Sequence, residues 1–132
     1  MSAKCFLDTN ILVYAFSDDS RADEAELLLA AGGIVSVQVL NEFVNVLRKK
    51  LCFTWTEVES ALEALKTVLD PPIPLTADLH QSAVILAREH NFAIYDSLIV
   101  VAAMSANCET LYTEDMQHGR RVGKVTIRNP FV

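Results

Sequence analysis

Three cysteines, four glycines, four prolines and one tryptophan are all that the 132-residue chain has of those types. Cys5, Cys52 and Cys108 are too scattered for a disulfide framework or a zinc knuckle, and read as small buried hydrophobes in a reducing compartment. Gly32, Gly33, Gly119 and Gly123 form neither a phosphate-binding loop nor a dinucleotide fingerprint. His80, His90 and His118 lack zinc-ligand spacing and read as surface or helix-end residues. No serine sits in a nucleophile elbow. No uncharged apolar run reaches the roughly 18 residues of a membrane span, and Leu98–Met104 falls far short. Asp8 interrupts the only apolar stretch near the start, so no secretory leader is expected and a cytoplasmic location is. Basic residues are outnumbered 17 to 11, a net charge of −6. Taken alone, that balance argues against non-specific binding to a polyanion.

What is present is a globular composition, 52% hydrophobic and 21% charged, of a length that suits one domain spanning residues 1–132. No linker, repeat or low-complexity tract divides it. Pro71-Pro72-Ile73-Pro74 reads as a rigid connection. Strands are expected at Lys4–Leu7, Ile34–Ser36, Ile73–Leu75, Thr110–Thr113 and Val125–Ile127. Helices are expected at Ile11–Phe16, at Arg21–Ala31 (ended by Gly32-Gly33), at Val37–Lys50, after a cap at Thr54 or Thr56, and at Ala77–His90 after Thr76. Phe92–Tyr95 reads as extended or turn, with Asp96 opening an all-apolar helix over Leu98–Ala106, a pattern of central burial. Short strands alternating with helices predict an α/β fold, a three-layer α/β/α sandwich on a mostly parallel central sheet. Ligands of such sheets bind beyond the carboxyl ends of the strands.

The chemistry available is carboxylate. Asp8 lies between Phe6-Leu7 and Ile11-Leu12-Val13, and Asp96 between Ile94-Tyr95 and Leu98-Ile99-Val100-Val101. An ionised carboxylate in such surroundings is costly unless hydrogen-bonded, paired or bound to a cation. Helix capping would equally satisfy either one. Glu42 belongs to a polar stripe with Gln38, Asn41, Asn45 and Lys49, which suits a solvated face or the wall of a cleft. Asp115 follows a strand and suits a turn. Strand order nonetheless allows all four to meet at one sheet edge. Their repulsion would raise one or more pKa values, and a hard divalent cation, Mg²⁺ or Mn²⁺, would relieve it.

Four segments carry a resemblance. Phe6-Leu7-Asp8-Thr9-Asn10-Ile11-Leu12-Val13-Tyr14 resembles the opening motif of PIN-domain nucleases, and Asn41-Glu42-Phe43 their second acidic motif. Tyr95-Asp96-Ser97-Leu98-Ile99-Val100-Val101-Ala102-Ala103 resembles the third. Leu111-Tyr112-Thr113-Glu114-Asp115-Met116-Gln117-His118-Gly119, with the closing Asn129-Pro130-Phe131, resembles the fourth. Each motif is short, but the four in order are specific, and they span the chain. Length and motif spacing resemble the VapC-type toxins of prokaryotic toxin–antitoxin pairs. The resemblance implies a metal-dependent endoribonuclease using Asp8, Glu42, Asp96 and Asp115, with Asp8 and Asp96 as the most direct ligands of Mg²⁺ (Mn²⁺ as substitute). The Thr-x-Asp pattern selects Asp115 over Glu114. Thr113, Asn10 and Ser97 are implied as supporting residues. A small antitoxin partner and a homodimer are implied too, the latter with Cys52-Phe53-Thr54-Trp55 as a candidate interface, although core packing suits Phe53 and Trp55 equally.

On this reading the charge balance changes meaning. Setting four site carboxylates aside takes −6 to −2. Arg120, Arg121, Lys124 and Arg128 lie in an acid-free C-terminal stretch, and Arg48-Lys49-Lys50 form a second cluster. Both suit phosphate contacts or ordinary solvated surface. Two alternatives stand beside the nuclease: a non-catalytic PIN-fold module that binds RNA or a partner, and a receiver-like Mg²⁺-binding signalling domain. The receiver reading lacks its second acid after the first strand and a lysine after Thr110–Thr113.

Overall fold

In a computed structural model the chain is described over residues 4–132. The apolar run after Lys4 forms β1 (Cys5–Leu7), and Asp8 turns it at once into α1 (Thr9–Ala15). Helix α2 (Ala22–Ala30) ends before Gly32, whose φ of +85° is the left-handed conformation that a glycine adopts without strain. An extended segment then runs between β1 and residues 69–73, joined to β1 by the parallel bridge Phe6 to Ile34 and to the other side by Gly33 to Leu69 and Ser36 to Ile73. The strands expected at Ile34–Ser36 and Ile73–Leu75 are thus bridges only. Gly33 suits a tight approach here, since a Cβ would lie 3.2 Å from the Cys5 carbonyl oxygen.

Ser36 caps α3 (Val37–Lys49) through its side chain, and Val39, Phe43 and Leu47 form the buried stripe of that helix. Thr54, rather than Thr56, caps α4 (Trp55–Val68), in a reciprocal box with Glu57. Thr76 caps α5 (Ala77–His90), which ends on Asn91 in the left-handed region. Helix α6 (Ile94–Ser105) is the buried central one, but it begins two residues earlier than Asp96. Ala93 is its N-cap and has no polar side chain to signal the boundary, so Asp96 sits inside the first turn instead of capping it.

Strand β2 (Thr110–Tyr112) pairs in parallel with β1 and with β4 (Val125–Arg128). A short β3 (Arg121–Val122), not foreseen in the sequence, closes the edge antiparallel to β4, giving the order β1-β2-β4-β3. Successive strand residues point to opposite faces. Phe6 and Leu7 are both buried, so helices cover both faces of the sheet, and the result is the expected α/β sandwich. The core joins these strand residues to Ile11, Phe43, Ile99 and Leu111. No helix among the described residues is long and apolar enough to cross a membrane.

Two smaller expectations change. Cys52 is exposed, not buried, at a left-handed turn (φ 57°) between α3 and α4. Phe53 packs against the core, while Trp55 stays 58% exposed with the Arg48 guanidinium 4.5 Å from its ring centroid.

Candidate active site

Register creates the site. Leu7 pairs with Tyr112, so the residues that follow them, Asp8 and Thr113, lie side by side at the carboxyl edge of the sheet. The Asp8 N–H donates to the Tyr112 carbonyl at 3.0 Å. Asp8 is 5% exposed. One of its oxygens accepts from the Thr9 N–H (2.7 Å) and the other from the Thr113 hydroxyl (2.8 Å). It therefore both caps α1 and faces the site. Burial pushes its carboxyl up to about 6, with the Glu42 and Asp115 charges adding to the rise and the Thr9 and Thr113 bonds opposing it.

Thr113 is the hub. Beyond donating to Asp8, its oxygen accepts from Asn10 Nδ2 (3.2 Å) and from the Asp115 N–H (3.1 Å). Asn10 Nδ2 also reaches Asp115 Oδ2 (3.0 Å), and Asn10 Oδ1 accepts from the Glu114 N–H (3.3 Å). Glu42, one turn into α3, accepts from the Thr9 hydroxyl at 2.9 Å. Asp96 enters from α6 half-buried, and among the described residues its carboxylate has no hydrogen bond. Burial raises its pKa, helped by the charges of Asp115 and Glu42.

A cleft of about 540 Å³ gathers all four acids, with Asn45, Val46 and Lys50 from α3 and Tyr95 and Ile99 from α6. Glu114 lines it too but is committed elsewhere. It accepts from the Tyr14 hydroxyl (2.5 Å) and lies 3.7 Å from Arg21, whose guanidinium stands over the Tyr14 ring.

Ser97 is not brought to this network. It is fully buried, and its hydroxyl donates to the Ala83 carbonyl (2.6 Å), holding α6 against α5. The candidate phosphate-binding cations are also placed elsewhere. Arg48 donates to the Phe53 carbonyl at 2.9 Å, and Arg120 to the His90 carbonyl at 2.7 Å while stacking on Phe92. Arg121 donates to the Gly123 carbonyl, and Lys49 and Lys124 are exposed. None of these five lines the cleft. Lys50, next in sequence to the two that headed its cluster, does. Helical spacing does not single it out, because Lys49, seven residues after Glu42, falls closer to the Glu42 direction on α3 than Lys50 does, and Lys50 is the C-cap beyond the last helical residue.

The donor set fits a hard cation. It is all oxygen, with no histidine or cysteine in the cleft, and burial and mutual repulsion hold Asp8 and Asp96 toward their neutral forms. Among the described residues no three such side chains already converge on one ion position.

The PIN domain family model matches residues 5–124, and the chain belongs to that family. Solved structures agree on the fold. A toxin–antitoxin complex from Klebsiella pneumoniae aligns with a TM-score of 0.73 at 21% identity, covering 96% of this chain and 98% of that one. VapC20 of Mycobacterium tuberculosis, a toxin that cleaves the sarcin–ricin loop, aligns at 0.70 and 22% identity, covering 85% and 92%. VapBC2 of Rickettsia felis, bound to a promoter DNA fragment, aligns at 0.69 and 24% identity, covering 95% and 97%. No curated protein matches by sequence. Family membership sets aside the receiver-like alternative.

Proposed function

We propose that the chain is a metal-dependent endoribonuclease, a single PIN domain over residues 1–132 that acts in the cytoplasm as the VapC-type toxin of a toxin–antitoxin pair. The observation that carries this reading is the meeting of Asp8, Glu42, Asp96 and Asp115, 107 positions apart at the extremes, in one cleft at the carboxyl edge of the sheet. Asp8 and Asp96 would be the most direct ligands of Mg²⁺ or Mn²⁺, with Glu42 and Asp115 completing the shell. The bound ion supplies Lewis acidity toward the scissile phosphate and lowers the pKa of water. The chain's own groups do the rest. Thr113 and the Thr9 amide hold both Asp8 oxygens in place, Asn10 holds Asp115, and the Thr9 hydroxyl holds Glu42. Glu42 or Asp115, the carboxylates that complete the shell rather than ligate directly, would take a proton from the attacking water. In-line attack forms a water-oxygen bond to phosphorus and breaks the bond to O3′, which takes up a proton, leaving a 5′-phosphate and a 3′-hydroxyl.

The partners follow from the same reading: RNA as substrate, a small antitoxin that inhibits, and a second copy in a homodimer. The likeness to toxin–antitoxin complexes supports the antitoxin. The second reading is a non-catalytic PIN module that binds RNA or a partner. Cleavage of RNA in Mg²⁺, in Mn²⁺ and in EDTA separates the two. The wild type is expected to cut in either metal, and EDTA, Asp8→Asn and Asp96→Asn each to abolish cutting while circular dichroism shows a retained fold. Cutting that persists in EDTA rejects the mechanism, and an intact protein that never cuts RNA supports the binding module.

A further inference from the structure

The two sides of the carboxylate cleft differ in a way that the proposed chemistry leaves unused. On the Glu114 side every charged or polar side chain already has a partner: Tyr14 with Glu114, Arg21 with Glu114 and Asp19, and Asn10 with Thr113 and Asp115. That side is closed by its own contacts. On the side between the C-terminal end of α3 and the first turn of α6 the opposite holds. Tyr95 is 60% exposed, lies immediately before Asp96, lines the cleft, and takes no part in the core. Among the described residues its hydroxyl has no hydrogen bond and its ring no aromatic or cationic partner. Among the described residues Lys50, the C-cap of α3, is the only basic residue lining the cleft, and it has no ion pair. Asn45 lines the same wall and has no side-chain partner among the described residues.

A tyrosine ring offers a large flat apolar face together with a polar hydroxyl, which suits it to contact with a ligand. Here it is held by a helical backbone beside the carboxylates, with a cation and an amide on the adjoining wall. That combination matches what a single-stranded nucleic acid presents next to a reacting phosphate: a flat base to stack, another phosphate to neutralise, and base or sugar edges to hydrogen-bond. We infer that Tyr95 and Lys50 form the substrate subsite of this cleft, Tyr95 stacking the base of the nucleotide beside the scissile phosphate and Lys50 contacting a neighbouring phosphate. The RNA strand then enters between α3 and α6, not past Glu114. Asn45 is placed to hydrogen-bond that same nucleotide. The inference rests on the nuclease reading for its substrate class and adds the residues that seat the substrate.

The test uses the full chain and a fluorescein-labelled single-stranded oligoribonucleotide of mixed sequence. Its Kd is measured by anisotropy in Ca²⁺, and its cleavage is followed separately in Mg²⁺. Tyr95→Ala is expected to weaken binding about tenfold and to raise KM in proportion, while Tyr95→Phe, which keeps the ring, restores both. Lys50→Ala is expected to flatten the dependence of log Kd on log salt by roughly 0.7, the loss of one phosphate contact on a single strand. Once the cleavage position is mapped, an abasic substitution at the flanking nucleotide should cost the wild type about as much as Tyr95→Ala does and cost Tyr95→Ala almost nothing further. A general loss of structure would not produce that non-additivity. If the wild type cuts RNA and Tyr95→Ala binds within twofold of it, the subsite is wrong and the nuclease reading stands. If Tyr95→Ala weakens binding but Tyr95→Phe fails to restore it, stacking is wrong. A wild type that neither binds nor cuts RNA overturns both readings together.

Discussion

Asp8 shows how one residue serves two purposes that oppose each other energetically. Its oxygens satisfy the first amide of α1 and the Thr113 hydroxyl, yet burial near Glu42 and Asp115 lifts its carboxyl to about 6. The ordinary value is near 3.8. A raised carboxyl binds its proton more tightly in the folded than in the unfolded chain. The metal-free protein therefore loses stability as pH rises from about 4 to about 6, and none further from this group above that. The Asn variant removes the charge and the window with it. We expect Asp8→Asn to gain stability over the metal-free wild type progressively from pH 4 to pH 6, to a plateau on the order of 2–3 kcal/mol. Urea denaturation across that range in EDTA is the check, and a difference that stays flat with pH refutes the buried, raised carboxyl. Thr113 is the complementary case. Thr113→Val keeps the shape but leaves Asp8, Asn10 and the Asp115 amide each short of a partner, at a cost of about 1–3 kcal/mol. Thr113→Ser should recover most of it in the same denaturation measurement.

At the level of elements, legibility followed local chemistry. Thr54 with Glu57, Thr76 before Ala77 and Gly32 after α2 each carry the group that satisfies or turns a helix end, so those boundaries could be read directly. Ala93 carries no such group, so the sequence points instead to the nearest residue able to cap, Asp96. Strand β3 has two residues and an exposed Arg121, too little for an alternating pattern to register. The pairing of β3 with β4 is a tertiary fact. Ser97 lies away from the four acids for a related reason. Adjacency to Asp96 in sequence is not adjacency of side chains in a helix, where consecutive residues point about 100° apart. Its hydroxyl clamps α6 to α5 through the Ala83 carbonyl. Ser97→Ala is accordingly expected to cost about 1 kcal/mol of stability and to leave kcat/KM for RNA unchanged. A loss of activity without a loss of stability would return Ser97 to the site.

Across the whole molecule, parallel pairing of β1 with β2 brings Asp8 beside Thr113, the bridged segment carries Glu42 in on α3, and the buried α6 delivers Asp96. No periodicity in the sequence encodes that meeting. Strand order made it possible, and only the ordered set of four motifs pointed to it. Its consequence is a folded state that holds repelling carboxylates in one cleft, which the unfolded chain does not. A divalent cation that binds only the folded arrangement must then stabilise the entire chain, by about 2.7 kcal/mol when its concentration is a hundred times its Kd. Because proton and metal compete for Asp8, the gain should shrink as pH falls through about 6, the reverse of the trend set by the metal-free protein. Thermal melts with Mg²⁺ and with EDTA between pH 5 and pH 8 test this without reference to any substrate. We expect a higher Tm in Mg²⁺ at pH 8, convergence of the two curves near pH 5, and no Mg²⁺ effect in Asp8→Asn at any pH. Superimposable melts in Mg²⁺ and EDTA at pH 8 would mean that the acids share the cleft without holding an ion.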